Sequence, residues 1–342
     1  MKKDILSLSL AELETELLCM GEKKFRAKQI FNWLHQKKVT SFNDMQNLSK
    51  DLRTKLNDVF EIYHIEAERT LKSKIDGTIK YLYRLADGNH VETVLMEYSY
   101  GTSICVSTQV GCKMGCRFCA STIAGFRRNL EPSEILLQIY ESERNSGKKI
   151  SSVVLMGIGE PLDNFDNVLK FLKLISSPDG NGLSLRHITV STCGLVPKIN
   201  QLADLKLGLT LAISLHASDN KSRSETMPIN NKYHIEELIS ACRNYVSKTG
   251  RRITFEYALI DGVNSSHDDA RKLANLIKGI NCHVNLIPVN KVAERNYSTQ
   301  MKTVQSFKDS LEKLGVNATI RRTLGSDINA SCGQLRRNAE NI

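Results

Sequence analysis

The sequence predicts an α/β fold: a partial (β/α)6 barrel of the TIM type, preceded by a small N-terminal helical domain. Three observations carry this expectation. From Thr102 onward, short β-branched runs alternate with helix-length amphipathic segments, the pattern of parallel strands joined by right-handed crossovers. About six such repeats fill roughly 220 residues, which suits an incomplete barrel, although periodicity alone leaves a small open sheet as the alternative. The first 60 residues, by contrast, show only helical spacing.

Taken in order, residues 1–60 are assigned to the N-terminal helical module. LAELETELLCMGE, KKFRAKQIFNWLHQK and SKDLRTKLNDVF each repeat apolar residues every three to four positions, and Ser49 stands where a cap belongs. Over residues 61–98 the texture becomes alternating and β-branched, as in TIKYLYRLADGNHVETVLMEY, with Asp87-Gly88 as the turn. This predicts a β-hairpin connector. Residues 99–342 form the barrel with a C-terminal tail. Its strands are TSICVSTQ, ISSVVLMGIG, HITVSTCG, LTLAISLHA, ITFEYALI, HVNLIPVN and NATIRRT. Its helices include SEILLQIYESERN, DNVLKFLKLIS, IEELISACRNYVSKTG, DDARKLANLIKGI and KTVQSFKDSLEKLG.

Composition narrows the class. With 342 residues and 41% hydrophobic content the chain buries a full core. It contains no run of about eighteen apolar residues, and its first 24 residues carry acids where a secretory signal is apolar, so a cytoplasmic protein with no membrane partner is expected. Nine cysteines, an odd number without a regular framework, argue for reduced thiols rather than a disulfide scaffold. The formal charge is +10, and arginines come in doublets at 127–128, 251–252, 321–322 and 336–337. A polyanionic partner explains this, as does solubility alone.

The polar and special residues recur where strands end, which in a barrel is one shared mouth. The first strand runs into GCKMGCRFCAS, the second into Gly157-Ile158-Gly159-Glu160-Pro161, the third into Ser191-Thr192, the fourth into Ser214-Leu215-His216 and the sixth into Pro288-Val289-Asn290. Cys112, Cys116 and Cys119 have the spacing CxxxCxxC. At i, i+4 and i+7 they would make one buried helical stripe, but Gly111 and Gly115 are poor helix formers. A structural zinc site wants four closed ligands, and no partner CxxC pair exists here. Three thiolates suit a four-iron cluster with one iron left open, because four cysteines are the usual number. That open iron is a place for a small molecule to bind and accept an electron.

CxxxCxxC on the first βα loop, followed by GIGEP after the next strand, closely resembles the radical S-adenosylmethionine superfamily. FRAKQIFNWLHQ, CVSTQVGCKMGCRFCASTIAGFRRNL, LMGIGEPLDN, ITVSTCGLVPKI, LAISLHA, MPIN, HVNLIPVN and CGQLR, in that order, resemble the RlmN/Cfr family of RNA adenine methyltransferases. GEPLDN, GFRRNL and FRAKQIFNWL are closer to the RlmN branch.

The resemblance implies one 4Fe-4S cluster on Cys112, Cys116 and Cys119, and two S-adenosylmethionines per turnover, one the methyl donor and one the radical source. It implies cofactor contacts from Gly159, Glu160, Ser191, Ser214, Leu215, His216 and Asn290. It implies methylation of carbon 2 of an adenosine in 23S rRNA and of an anticodon-loop adenosine in tRNA, Cfr-type methylation at carbon 8 being the near alternative. A non-catalytic, zinc-stabilised RNA-binding module is the alternative of a different class. Carbon 2 of adenine carries no acidic proton, so the family parks a methyl on a carrier cysteine, here Cys332, and releases the product with a resolving cysteine, here Cys105. Glu92 aligns with the base that removes the ring hydrogen. A low-potential electron donor such as flavodoxin and a monomeric state complete the expectation. Lys23, Lys24, Arg26, Arg127, Arg128, Arg336 and Arg337 are the candidate phosphate contacts, and Cys19, Cys193, Cys242 and Cys282 are left as structural thiols. The basic tail around Cys332 is expected to be flexible.

Overall fold

The computed structural model describes residues 2–289 and 297–335. Three helices open the chain: α1 (Leu10–Cys19), α2 (Phe25–His35) and α3 (Lys50–Val59). Ser9 and Glu12 cap α1 reciprocally, and Ser49 caps α3 by accepting the Leu52 N–H at 3.2 Å. A short parallel ladder, β1 (Lys3–Asp4) with β2 (Phe60–Glu61), ties the two ends of this module together.

A ten-stranded sheet organises the rest. β3 (Glu66–Lys72), β4 (Ile79–Arg84) and β5 (His90–Tyr98) form an antiparallel meander, and β5 pairs antiparallel with β6 (Gly101–Cys105). The hairpin expected around Asp87-Gly88 is β4–β5. β3 is an additional strand whose residues are mostly solvent-facing, so its sequence EAERTLK carries no apolar alternation. β7 (Gln109–Val110) and β8 (Arg128–Asn129) make a separate two-residue ladder.

Beyond β6 the sheet is parallel throughout: β9 (Ile150–Leu155), β10 (Ile188–Thr192), β11 (Thr210–Ser214), β12 (Ile253–Leu259), β13 (Cys282–Pro288) and β14 (Ala318–Ile320). Spatial order follows chain order, as in a barrel and unlike a doubly wound sheet. The crossovers carry α4 (Pro132–Ser146), α5 (Phe165–Ser176), α6 (Val196–Asp204), α7 (Asn220–Thr226), α8 (Ile235–Thr249), α9 (His267–Leu276) and α10 (Met301–Lys313). α6 and α7 were not expected. α7, with the sequence NKSRSET, is seven residues long and lacks any apolar repeat that could announce it.

The barrel does not close. β14 pairs with β13 on one side and, among the described residues, with nothing on the other. Segment 321–335 fills this flank. The buried faces of α1–α3, including Leu17, Ile30, Phe31 and Leu56, join one continuous core with the barrel. Across that junction Ser133 N–H donates to Ser7 Oγ at 3.1 Å, Lys38 pairs with Glu143, and His35 Nδ1 lies 3.1 Å from the Tyr140 hydroxyl. Among the described residues no helix is long and apolar enough to cross a membrane.

Candidate active site

The C-terminal ends of the parallel strands surround a cavity with about 1050 Å³ of empty space. Cys112, Cys116 and Cys119 line one wall. Their loop is irregular rather than helical, so the buried-stripe alternative does not hold. The β7–β8 ladder pins both of its ends, and Gly111 explains how they meet. At φ +76° a Cβ there would lie 1.7 Å from the Gly125 carbonyl oxygen, so only glycine lets the loop close. Thr122 Oγ1 then donates to the Cys119 carbonyl at 2.9 Å, and Arg117 N–H to the Thr226 carbonyl at 2.9 Å. Burial pushes the Cys112 thiol up to about 12 and raises Cys116 as well, so both must give up protons when iron binds. Among the described residues no three His, Cys, Asp or Glu side chains surround a single-ion position.

The opposite wall comes from the loop after β9. Gly159, at φ +102°, brings the backbone so near Gln109 that a Cβ would sit 2.5 Å from the Gln109 Cβ. Glu160, only 4% exposed, accepts N–H bonds from Cys193 at 2.8 Å and Leu162 at 3.0 Å, and burial raises its pKa above the usual carboxylate range. It has no cation within ion-pairing distance among the described residues. A buried carboxylate facing a cavity without a cation fits a ligand's ammonium group.

Ser191 and Ser214 line the same space. Leu215 does not. Its side chain is fully buried, and only its backbone serves the site, the N–H donating to Glu256 O at 3.1 Å and the carbonyl accepting from Arg223. His216 adopts φ +55°, and its Nδ1 accepts the Ala258 N–H at 2.8 Å, which leaves the ring proton on Nε2. Burial lowers its pKa to about 3, so the ring is neutral and available as a donor. Asn290 lies outside the described residues.

Glu92, Cys105 and Cys332, remote in sequence, converge on the open flank. Cys105 ends β6 directly opposite Val94 of β5, and Glu92 lies two residues from Val94 on the same sheet face. Cys105 and Cys332 line one smaller cavity, and Cys332 also lines the large one. Burial pushes the Cys105 thiol up to about 12, with Cys332 adding to the rise and Arg321 opposing it. Glu92, fully buried, stands 3.0 Å from Lys80 Nζ, itself 4% exposed. Lys80 also donates to the Asn329 carbonyl at 3.2 Å.

Around Cys332, as far as Leu335, the last described residue, the tail is anchored where flexibility was expected. Ala120 N–H donates to Gly333 O at 2.8 Å, Ser121 Oγ to Leu335 O at 2.9 Å and Gly325 N–H to Asp76 Oδ2 at 2.8 Å.

Four residues were missed. Arg321 lines both cavities, lies 3.6 Å from Glu256 and is within electrostatic reach of both Cys105 and Cys332. In the sequence it is only half of a doublet. Glu256 was visible as a lone charge inside the apolar strand ITFEYAL. Cys193, taken as structural, lines the cavity, and Arg223 lies behind it. Arg128 is corrected in the other direction. It is held by Asp87 at 2.6 Å and by both oxygens of Glu134 at 2.7 and 2.8 Å, so its guanidinium is committed to the N-terminus of α4 and not to phosphate. Lys24 pairs with Glu14 at 3.0 Å and Arg26 donates to Gln29 at 2.8 Å, while Lys23 and Arg127 are exposed. Arg336 and Arg337 lie outside the described residues.

Comparison with known proteins agrees with this geometry. The ribosomal RNA large subunit methyltransferase N-terminal domain matches residues 3–62, and the radical SAM superfamily matches residues 106–276. The chain is 53% identical to a probable dual-specificity RNA methyltransferase RlmN of Lachnoclostridium phytofermentans, over 98% of this chain and 95% of that one. It is 54% identical to the protein of the same description from Lachnospira eligens, over 97% and 95%. A crystal structure of a radical SAM methyltransferase from Sphaerobacter thermophilus superposes with a TM-score of 0.93 at 41% identity, covering 97% of this chain and 99% of that one. A methyltransferase of this kind uses S-adenosylmethionine and an iron–sulfur cluster, and the zinc-stabilised binding module is thereby set aside. The chain belongs to the RlmN family of radical SAM RNA methyltransferases.

Proposed function

We propose that this enzyme methylates carbon 2 of an adenosine in 23S rRNA and of an anticodon-loop adenosine in tRNA through a methyl-cysteine on Cys332. The observation that carries the reading is that two thiols, Cys105 and Cys332, share a cavity beside the three-cysteine loop, with Glu92 on the same sheet face. Donors spread along a wall, rather than closed round one ion, suit a 4Fe-4S cluster on Cys112, Cys116 and Cys119. When bound, the cluster and S-adenosylmethionine supply the methyl group and the adenosyl radical. Glu160 and the backbone at Gly159 hold the cofactor's ammonium end, while Ser191, Ser214, the Leu215 backbone, His216 and Asn290 make the remaining contacts.

Cys332 carries the one-carbon unit to the ring. Glu92 takes the proton from carbon 2 of the adduct, which also gives up one electron that a bound cluster would take back. Cys105, as thiolate, then attacks the Cys332 sulfur. The sulfur–carbon bond breaks, its electron pair stays with the carbon and is protonated to methyl, and a Cys105–Cys332 disulfide remains for external reduction. Arg321, beside both thiols, favours the anionic form of Cys105. The protein works as a cytoplasmic monomer fed by a low-potential donor such as flavodoxin. The target base must leave its stack to reach a buried site, which single-stranded loops permit at low cost.

The test is a pair of variants. Cys332→Ala should give no product and no RNA adduct, whereas Cys105→Ala should leave RNA covalently attached. Full turnover by either variant overturns the carrier scheme, and mass-spectrometric mapping of the methyl distinguishes carbon 2 from carbon 8.

A further inference from the structure

Arg223 has 0% exposure, the largest fully buried side chain of the described residues. Its three nitrogens donate only to neutral acceptors: Nε to Leu215 O at 3.1 Å, Nη1 to Asn230 Oδ1 at 3.1 Å, and Nη2 to Cys193 O at 2.7 Å and Ser214 O at 3.3 Å. No carboxylate among the described residues forms an ion pair with it. The ionisable groups facing it are the thiols of Cys116, Cys193 and Cys242 and the neutral ring of His216. Burial raises the Cys193 and Cys242 thiols and keeps them neutral. Glu160, a buried acid of the same wall, is linked to it through Cys193, whose N–H it accepts while Arg223 holds the carbonyl.

A guanidinium taken wholly out of water without a counter-ion is costly, and such charges persist where a partner neutralises them. The Cys193 carbonyl that Nη2 holds at 2.7 Å belongs to a residue lining the same cavity as Cys112, Cys116 and Cys119, so the guanidinium stands behind the wall where an anionic cluster would sit. Glu160 is engaged by the cofactor's ammonium group. We infer that Arg223 is the counter-charge of the iron–sulfur cluster, a positioning residue that lies behind the Cys116 side of the site and makes the cluster easier to reduce. This rests on the cluster assignment proposed above. An electron added to the cluster increases its negative charge, so a fixed cation nearby stabilises the reduced form more than the oxidised one.

The experiment is an anaerobic redox titration of the cluster by electron paramagnetic resonance, in wild type, Arg223→Met, Arg223→Lys and Asn230→Asp. Arg223→Met removes the charge at similar volume. Asn230→Asp leaves the arginine in place and sets a carboxylate against it. Both should disfavour one-electron reduction by about tenfold, which is about 59 mV, while Arg223→Lys should stay near wild type. A protein in which neither charge-altering variant moves the potential overturns the inference and leaves the cluster reading intact. Should only Arg223→Met fail to fold, Asn230→Asp still decides. A wild type that holds no iron–sulfur cluster overturns both.

Discussion

His35 gives a test of how the N-terminal module is held to the barrel. The imidazole is fully buried, with Nδ1 3.1 Å from the Tyr140 hydroxyl and Nε2 without a partner. Burial lowers its pKa from 6.5 to about 3. The sign follows from proton counting. Between these values the unfolded chain binds a proton that the native state refuses, so the stability contribution is complete above pH 6.5 and is lost as pH falls toward 3. Going from pH 7 to pH 5 should therefore remove about 2 kcal/mol through this one group. His35→Gln cannot titrate and should lack that part of the slope. The chain has a single tryptophan, and Trp33 lies on the same helix, half buried and hydrogen-bonded to Asn47 at 2.6 Å, so its fluorescence reports the transition directly. Urea melts of both proteins at several pH values, compared as a difference, cancel the other titrating groups. Equal slopes in the two proteins would refute the argument that burial of a neutral histidine clamps this junction.

Other perturbations test the site. Lys80→Met removes the cation from Glu92 in a place where both side chains are under 5% exposed, and should cost about 3–5 kcal/mol, with much of it recovered in the Lys80→Met, Glu92→Gln double variant by thermal melts. Gly111→Ala puts a methyl 1.7 Å from a backbone oxygen, so iron bound per chain should fall severalfold while far-ultraviolet circular dichroism stays native; full iron loading would contradict the loop geometry. Arg321→Met should slow alkylation of Cys105 severalfold at fixed pH, with Arg321→Lys close to wild type, because Arg321 opposes the burial that raises this thiol.

The barrel strands were legible because each is a short β-branched run followed by an amphipathic helix of ten or more residues. α7 was not, since its seven polar residues are held by Asn230, Asp219 and neighbouring backbone rather than by an apolar face. The cluster cysteines are contiguous in sequence and carry their own signal. Arg223 carries none, because a buried arginine looks like any other in a polar helix until the loops that supply its acceptors are folded around it. Glu92 likewise reads as an ordinary strand carboxylate until Lys80, on the adjacent strand, is brought against it. Arg128 shows the reverse error, in which a basic doublet suggests phosphate but the capping box of α4 takes one of its members.

The incompleteness of the barrel is what the proposed chemistry requires. Closure of β14 onto β6 would bury Cys105 in a packed interior of the kind that fills a complete barrel. Instead β5, β4 and β3 extend the sheet from the β6 side, and the flank between the sheet's two edges is filled by a chain segment rather than by a strand. That segment is held to the rest of the chain by hydrogen bonds from Gly325 to Asp76, from Ala120 to Gly333 and from Ser121 to Leu335, each individually worth about 0.5–1.5 kcal/mol. Such a strap keeps Cys332 beside Cys105. Lys80 joins the two halves of this arrangement, because the same ammonium meets Glu92 and the Asn329 carbonyl. The position of the strap and the surroundings of the residue proposed as the base are thus tied together through one buried cation.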